Sequence, residues 1–325
     1  MRKLFVAVLF TALLGQSAFS QKWKSERMIV YAGVGINNFM GDLGGGSKDA
    51  AHFFGVRDLD LVSTRPAATV GFRYRLTEIL SARLNFTYNM LHGDDNASAN
   101  ENRQSRNLNF RSNVFEFGTN VDYYFIKEKE IPRYSFSSLA SMRNFSAYFT
   151  VGFGALHFNP QGKYNGEWVD LQPLCTEGQG SGVTFSALDT KGTQVEVKTQ
   201  SPYKLWAFSI PIGIGVKYNL NQQFAIGLEI SNHYTTTDFL DDCSSDYYFN
   251  YADSDVQAPD QLTSIMSDRH KVIDASGNLV DTDEKYATGS LRRGNSGYND
   301  AYVVTLITLH YKLTGFVFQK KPKYY

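Results

Sequence analysis

Between Ser81 and Met90 the chain alternates without a break. Ala82, Leu84, Phe86, Tyr88 and Met90 point one way, and Ser81, Arg83, Asn85, Thr87 and Asn89 the other. A period of two is that of a β-strand with one apolar face; a helix would mix the two sets around its circumference. The same alternation runs through Ala68–Leu76, Phe115–Phe125, Phe208–Tyr218, Phe224–Ile230 and Thr305–Leu313, and two Gly-rich runs, Ile29–Phe39 and Ala147–Phe158, are strand-like. The pattern predicts strands over 28–39, 67–76, 80–91, 110–126, 144–158, 204–219, 222–235 and 300–314. That is about eight strands, each near the ~9–11 residues that a tilted membrane strand requires.

The links between these segments alternate in length. Thr77-Glu78 and Leu220-Asn221-Gln222 are tight turns, and 126–143 joins the fourth strand to the fifth. The links 41–65, 92–109, 159–203 and 237–299 are long. Outer-membrane barrels have short periplasmic turns and long extracellular loops. The expected fold is therefore all-β, a transmembrane up-and-down antiparallel barrel with both termini periplasmic.

The polar faces decide between a soluble and a membrane barrel. They carry Arg73, Arg75, Arg83, Glu116, Asp122, Lys217, Glu229 and Lys312. An apolar core could not bury these charges except at great cost. A membrane barrel turns its apolar face to lipid and its charges to the lumen. An eight-stranded lumen is only wide enough for side chains, so the charges are expected to pair into a plug, against a diffusion pore.

The N-terminus agrees with export. Arg2 and Lys3 precede an apolar run, Phe5–Leu14, too short to span a bilayer. Ser17-Ala18-Phe19-Ser20 supplies small residues, which predicts a signal peptide over 1–20 cut between Ser20 and Gln21. No cysteine follows the run, which excludes a lipoprotein signal. The rest, 21–325, reads as the barrel. No later run is long and apolar enough for a membrane helix. A mean hydropathy of -0.31 looks soluble, yet aromatics are 14% of residues, which suits strands that are apolar on one face only. A formal net charge of zero gives no global attraction to nucleic acid.

Few residues suggest chemistry. The two cysteines, Cys175 and Cys243, fall in the third and fourth long loops, where an oxidising compartment predicts a disulfide. The fourth loop is rich in Asp, from Asp238, Asp241 and Asp242 to Asp283, but its spacing fits no EF-hand. It reads as a solvated loop, and no metal or cofactor is expected. Gly44-Gly45-Gly46-Ser47-Lys48 lacks the spacing and the βαβ setting of a phosphate loop. His92, His157 and His233 could lie near the outer rim with Asp94, Asp95 and Asp238, as in barrels that modify lipid A, but no local signature supports an enzyme. Around the periplasmic turns and tail, Lys22, Lys24, Arg27, Lys127, Lys129, Arg133, Arg143, Lys320, Lys321 and Lys323 outnumber Glu26, Glu128 and Glu130. This basic rim can meet lipid phosphates or dock an acidic partner.

Three motifs in order carry a family resemblance: Arg106-Asn107-Leu108-Asn109-Phe110-Arg111-Ser112-Asn113, Thr236-Thr237-Asp238-Phe239-Leu240-Asp241-Asp242, and Arg293-Gly294-Asn295 with Asn299-Asp300-Ala301-Tyr302. With the barrel layout they resemble the PorG family, outer-membrane barrels of the type IX secretion system, over most of the mature chain. Cys243 stands where that pattern leads one to expect an apolar residue, and the third and fourth loops are expanded. The resemblance implies a non-enzymatic role: anchoring the periplasmic ring of PorK and PorN (GldK and GldN in gliding relatives) to the outer membrane. Lys127, Lys129, Arg133, Arg143, Lys320, Lys321 and Lys323 are the expected docking residues, with outer-membrane lipid and lipopolysaccharide as further partners. The alternatives are a surface barrel whose long loops bind a ligand or partner, and a lipid A-modifying enzyme.

Overall fold

The structure, a computed structural model, describes residues 26–43, 63–98, 101–128, 144–180, 184–188, 194–198, 201–244, 261–269, 271–281 and 293–313. Its strands are β1 (Met28–Met40), β2 (Arg65–Arg75), β3 (Leu80–Asp94), β4 (Asn109–Ile126), β5 (Phe145–His157), β6 (Pro160–Tyr164), β7 (Glu167–Asp170), β8 (Thr184–Leu188), β9 (Gln194–Lys198), β10 (Trp206–Asn219), β11 (Phe224–Thr235), β12 (Lys271–Ile273), β13 (Leu279–Asp281) and β14 (Ala301–Lys312). The alternating segments are the long strands. They pair antiparallel in the order β3-β2-β1-β14-β11-β10-β5-β4, and β3 pairs again with β4. That pairing closes an eight-stranded barrel and removes every edge from its wall.

Two turns are set by single side chains. Thr77 Oγ1 accepts from the N–H of Leu80 at 3.0 Å between β2 and β3. Asn221 Oδ1 accepts from the N–H groups of Gln223 and Phe224, at 2.8 and 2.7 Å, between β10 and β11. Such Asx and Ser/Thr turns satisfy backbone donors locally. At the other end the strands are joined by the long links, hereafter the loop-rich end.

The barrel is inside-out relative to a soluble protein. Val34 is 68% exposed and Phe117 57% on the outer face, while Arg73, Glu116 and Asp122 inside are 0% exposed. No helix among the described residues is long and apolar enough to cross a membrane; the apolar outer face belongs to the strands. Glycines on the inner face make room for rings: a Cβ at Gly71 would stand 2.4 Å from the Tyr31 hydroxyl, and one at Gly215 2.4 Å from that of Tyr148. Pro211, inside β10, lacks an N–H, and the β5–β10 ladder skips Ile210 and Pro211.

Beyond the wall, the long links build a second core. Leu43, Leu91, Leu108, Phe110, Phe158, Tyr203 and Leu240 form one buried cluster with Phe39 and Tyr302 from the strand ends. Phe39 meets Phe110 edge-on at 4.8 Å, and Tyr203 stacks on Phe239 at 4.5 Å. Two short helices, α1 (Glu101–Arg106) and α2 (Gln261–Ser267), lie in this cap, where Ile265 and Met266 are buried. The hairpin β6–β7 extends the wall beside β4.

Candidate functional site

All eight charges expected in the lumen are buried, each at most 6% exposed, and some of them pair across the barrel. Arg83 on β3 grips Glu229 on β11, four strands around the ring, with Nη1 at 2.6 Å and Nη2 at 2.9 Å from the two carboxylate oxygens. Arg73 Nε lies 2.9 Å from Asp122, and its guanidinium sits 4.9 Å over the Tyr148 ring. Tyr148 in turn donates to Glu229 at 2.6 Å. Side chains from opposite walls therefore meet on the axis. A cavity of about 20 Å³ remains between them, lined by Arg83, Glu229, Ser231 and His233 among others. That space holds a water, not a solute.

One constellation has catalytic spacing. Ser231 Oγ is 3.0 Å from His233 Nε2, and His233 Nδ1 is 2.9 Å from Glu116 Oε2. Ser209 donates to Glu116 at 3.0 Å, and Tyr302 donates to it as well. A serine–histidine–carboxylate relay of this kind activates a nucleophile where a substrate and an oxyanion site adjoin it. Here Ser231 and His233 lie inside the plug, 4% and 5% exposed. The flanking backbone is engaged in the β10–β11 and β11–β14 ladders. The arrangement fixes Glu116 across the lumen from β4 to β14, beside the cavity of about 20 Å³. The sequence suggested Asp94, Asp95 or Asp238 as histidine partners. Asp94 instead caps a turn at Asn96, and Asp95 binds Arg106. His157 packs edge-on against Trp206 at 5.1 Å, and His92 lies on β3 near the loop-rich end.

The end that carries the short turns is stoppered. Glu128, just past β4, is held by Lys217 Nζ at 2.9 Å and Lys312 Nζ at 2.5 Å, and Lys312 also reaches Glu26 at 3.4 Å. The sequence alone sets Glu128 among the rim charges; Lys217 and Lys312, two inward lysines without a strand partner, are the signal that it turns inward. Lys127, beside it, stays exposed, 3.5 Å from Glu78. Lys129, Arg133, Arg143, Lys320, Lys321 and Lys323 lie outside the described residues, as do Ser20 and Gln21 of the expected cleavage site.

At the loop-rich end the three motifs converge. Arg106 binds Asp95 with two parallel bonds of 2.7 and 2.8 Å and donates to the Arg293 carbonyl at 2.5 Å. Arg293, buried, reaches Asp242 Oδ2 at 3.0 Å and Glu177 at 3.1 Å. Tyr203 donates to Asp242 at 2.6 Å. Asp242 takes a left-handed backbone, φ 66°, which Asp tolerates better than most residues. Its neighbours clasp backbone: Asp241 accepts from the N–H groups of Cys243 and Leu43 at 3.0 and 3.1 Å, and Asp300 from that of Leu240 at 2.8 Å. Asp42 accepts from Asn295 N–H at 2.6 Å.

Two expectations are corrected at this end. The Asp238–Asp242 stretch is not a solvated loop: Asp241 and Asp242 are 0% exposed. Burial, and then neighbouring acids, hold the carboxyls of Asp241 and Asp300 well above the usual carboxylate range; burial pushes Asp238 up to about 9. The Cys175–Cys243 disulfide is not formed. Cys175 ends a short turn in a left-handed conformation, with its Sγ 3.7 Å from the Gln172 carbonyl, while Cys243 is buried in the apolar cluster. Cys243 thus packs as a small apolar residue. Among the described residues no group of three or more acidic, histidine or cysteine side chains could hold a metal.

Several solved structures of bacterial outer-membrane proteins are distantly similar. The chain is similar to Neisserial surface protein A at 7% identity and a TM-score of 0.34, over 88% of this chain and 97% of that one. For the N-terminal β-barrel domain of Pseudomonas aeruginosa OprF the values are 7% and 0.30, over 89% and 98%. For a major outer membrane protein from Thermus thermophilus they are 8% and 0.34, over 88% and 99%. No curated protein sequence matches. The model of the outer membrane protein beta-barrel domain matches residues 6–257, most of the chain. This chain belongs to that outer-membrane β-barrel family and is a protein of the bacterial outer membrane.

Proposed function

We propose that the protein is a structural anchor of the outer membrane rather than a conduit or an enzyme, and that it serves type IX secretion by tethering the periplasmic PorK/PorN-type (GldK/GldN-type) ring. One observation carries the structural part: charged pairs from opposite walls meet on the barrel axis, as Arg83 and Glu229 do. Among the described residues, the cavity of about 20 Å³ beside Ser231 and His233 has room for a water rather than for a solute or a substrate. What such a barrel offers is a rigid surface at each end. The secretion role rests on the PorG resemblance, whose three motifs meet in the clasp of the loops.

In this reading both termini and the short turns face the periplasm, and the long loops face outside. The docking surface is Lys127 with Lys129, Arg133, Arg143, Lys320, Lys321 and Lys323. The stopper favours it: Glu128 is committed to Lys217 and Lys312, while the neighbouring Lys127 at the mouth has, among the described residues, an exposed pairing to Glu78. The test is a mild-detergent pull-down of the tagged protein, followed by mass spectrometry. The ring lipoprotein should come down with wild type and be lost on reversing charges in 127–143 and 320–323. If the ring fails to co-purify even after crosslinking in cells, the secretion reading falls.

A second reading is a surface barrel whose loops bind a ligand or partner. The observation in its favour is the cap's own buried core, which holds the described parts of the loops together. Deleting the loops while keeping the barrel separates the two readings: tethering survives this change and surface binding does not.

A further inference from the structure

The lipid-facing surface does not stop where β5 ends. On β4 the outward side chains Phe117 and Phe115, 57% and 44% exposed, are followed by Asn113 and then Arg111 at the next two outward positions. Where β5 leaves off, β6 takes its place beside β4, with Arg111 opposite Gln161, and β7 pairs with β6. The outer face of the wall is thus prolonged by a small three-stranded blade. Its outward residues are Arg111, Gln161, Lys163, Trp168 and Asp170, by the alternation of paired positions. At about 3.3 Å per residue, Arg111 stands some 13 Å along the strand beyond Phe115. Phe115 is paired with His157, which packs on Trp206, and Trp206 is 66% exposed. Tryptophan and tyrosine belts mark the membrane–water boundary, so the blade stands at headgroup height.

We propose that this blade face binds the phosphate-bearing end of lipid A, the glycolipid of the outer leaflet; the inference rests on the loops-outward orientation given above. The cations are held ready. The Arg111 guanidinium lies 4.3 Å over the Trp168 ring, and its Nε donates to Gln161 at 2.9 Å. The outer edge of the guanidinium remains for a second acceptor. A planar guanidinium pairs with phosphate oxygens through two bonds. Lys163 is exposed, and its backbone N–H is pinned by Asn109 at 2.8 Å. Neither cation has a carboxylate partner among the described residues. Asp170, the acid on this face, is occupied by the amides of Gln161 and Asn159 at 2.7 and 3.0 Å. The acyl chains of a lipid whose phosphate sits at Arg111 would run down over Phe115 and Phe117. Apolar belt, ring and unpaired cations in that order match an amphiphile with a phosphorylated sugar head, and an acidic protein would leave the adjoining aromatic belt unused.

The full chain in detergent, mixed with phosphorylated lipid A or with the same lipid after phosphatase treatment, is the system to examine by native mass spectrometry. The phosphorylated lipid should form an adduct. The double variant Arg111→Ala with Lys163→Ala should weaken it at least tenfold, Trp168→Ala less, and Lys127→Ala at the opposite end not at all. Arg111→Lys with Lys163→Arg keeps the charge and should restore most of the binding, and the heat-modifiable migration of each variant confirms folding. Equal binding of the phosphatase-treated lipid, or full binding by the double alanine variant, overturns the proposal. Orientation is read separately by labelling Asn165→Cys, at the hairpin tip, in a Cys175→Ala background on intact cells with an impermeant maleimide. Labelling supports the outer leaflet as the source. An unlabelled tip in cells whose purified protein still binds lipid A overturns the orientation, and with it lipid A as the occupant.

Discussion

The lumen and the cap both bury charge, and they do so by opposite rules. In the lumen each acid meets a base from another strand, as in Arg83 with Glu229 and Arg73 with Asp122. In the cap, acids crowd together: Asp241 and Asp300 feel each other as well as Asp42, and they are satisfied chiefly by backbone N–H groups of the links. The lumen fills a wall that the strand ladders already hold closed. Among the described residues the cap has only short hairpin ladders, so its acids and two of its arginines, Arg106 and Arg293, define its shape. Charge is therefore filler in one region and framework in the other.

Removing a framework cation should produce the largest effect. Arg293→Ala strands the buried carboxylates of Glu177 and Asp242, a loss of about 3–5 kcal/mol for a buried pair. The cap should open while the barrel persists. Alkylation of buried Cys243 should accelerate by roughly a hundredfold or more, since each ~1.4 kcal/mol is a factor of ten. The heat-modifiable migration of the barrel should be retained. Loss of both together would show that cap and wall are one cooperative unit.

The matching change in the lumen should cost less. Glu229→Gln weakens the two bonds from Arg83 and the one from Tyr148, about 1.5–3 kcal/mol for bonds to a charged group. A lower urea midpoint for barrel unfolding, with Cys243 still protected, is the expected result. Pairing Arg83→Met with Glu229→Leu should recover most of the loss, because no buried charge remains uncompensated at that contact. If the double variant is worse than the single one, the lumen charges are framework too.

How much of this contrast could be read from the sequence depends on the distance over which each pattern is written. Leu80–Asp94 announces itself within ten residues, because alternation is local and one face must meet lipid. The lumen charges were legible as inward positions, but their partners were not: Arg83 and Glu229 are 146 residues apart, and pairing depends on barrel stagger. The clasp was least legible. Asp241 looks like loop acid until Leu43, 198 positions away, turns its N–H toward it. Cys243 looked like half of a disulfide because loop cysteines in an exported chain usually pair, yet its neighbours are the apolar cluster and Arg293. Glu128 was hidden by a count of rim charges that ignored where each side chain ends.

The crowded acids give the comparison a pH axis. Asp238, with its carboxyl pushed up to about 9, keeps its proton in the folded cap at neutral pH, and burial shifts Asp241 and Asp300 in the same direction. An unfolded chain releases those protons near pH ~4. The native cap thus binds more protons between these limits, and its stability falls as pH rises from about 4 towards 9. Cys243 protection, normalised at each pH to a denatured sample, should be stronger at pH 6 than at pH 9. Asp300→Asn mimics the protonated form and should flatten the trend. Greater protection at pH 9 would mean that the acids are ionised and held by their amides alone.

The smallest effect on stability is expected where the proposed function predicts a large one. Lys127 and Glu78 are 57% and 49% exposed at 3.5 Å, and an exposed pair of this kind contributes about 0–1 kcal/mol. Lys127→Glu should leave the barrel's urea midpoint almost unchanged. It lies beside Glu128, however, at the mouth where the ring would dock. Recovery of the ring lipoprotein in the pull-down should therefore fall, more steeply at low salt, where exposed charges act over longer distances. A variant that lowers the midpoint and the recovery in proportion would make Lys127 part of the stopper. A variant that lowers recovery alone would place it on the contact surface, outside both the paired lumen and the clasped cap.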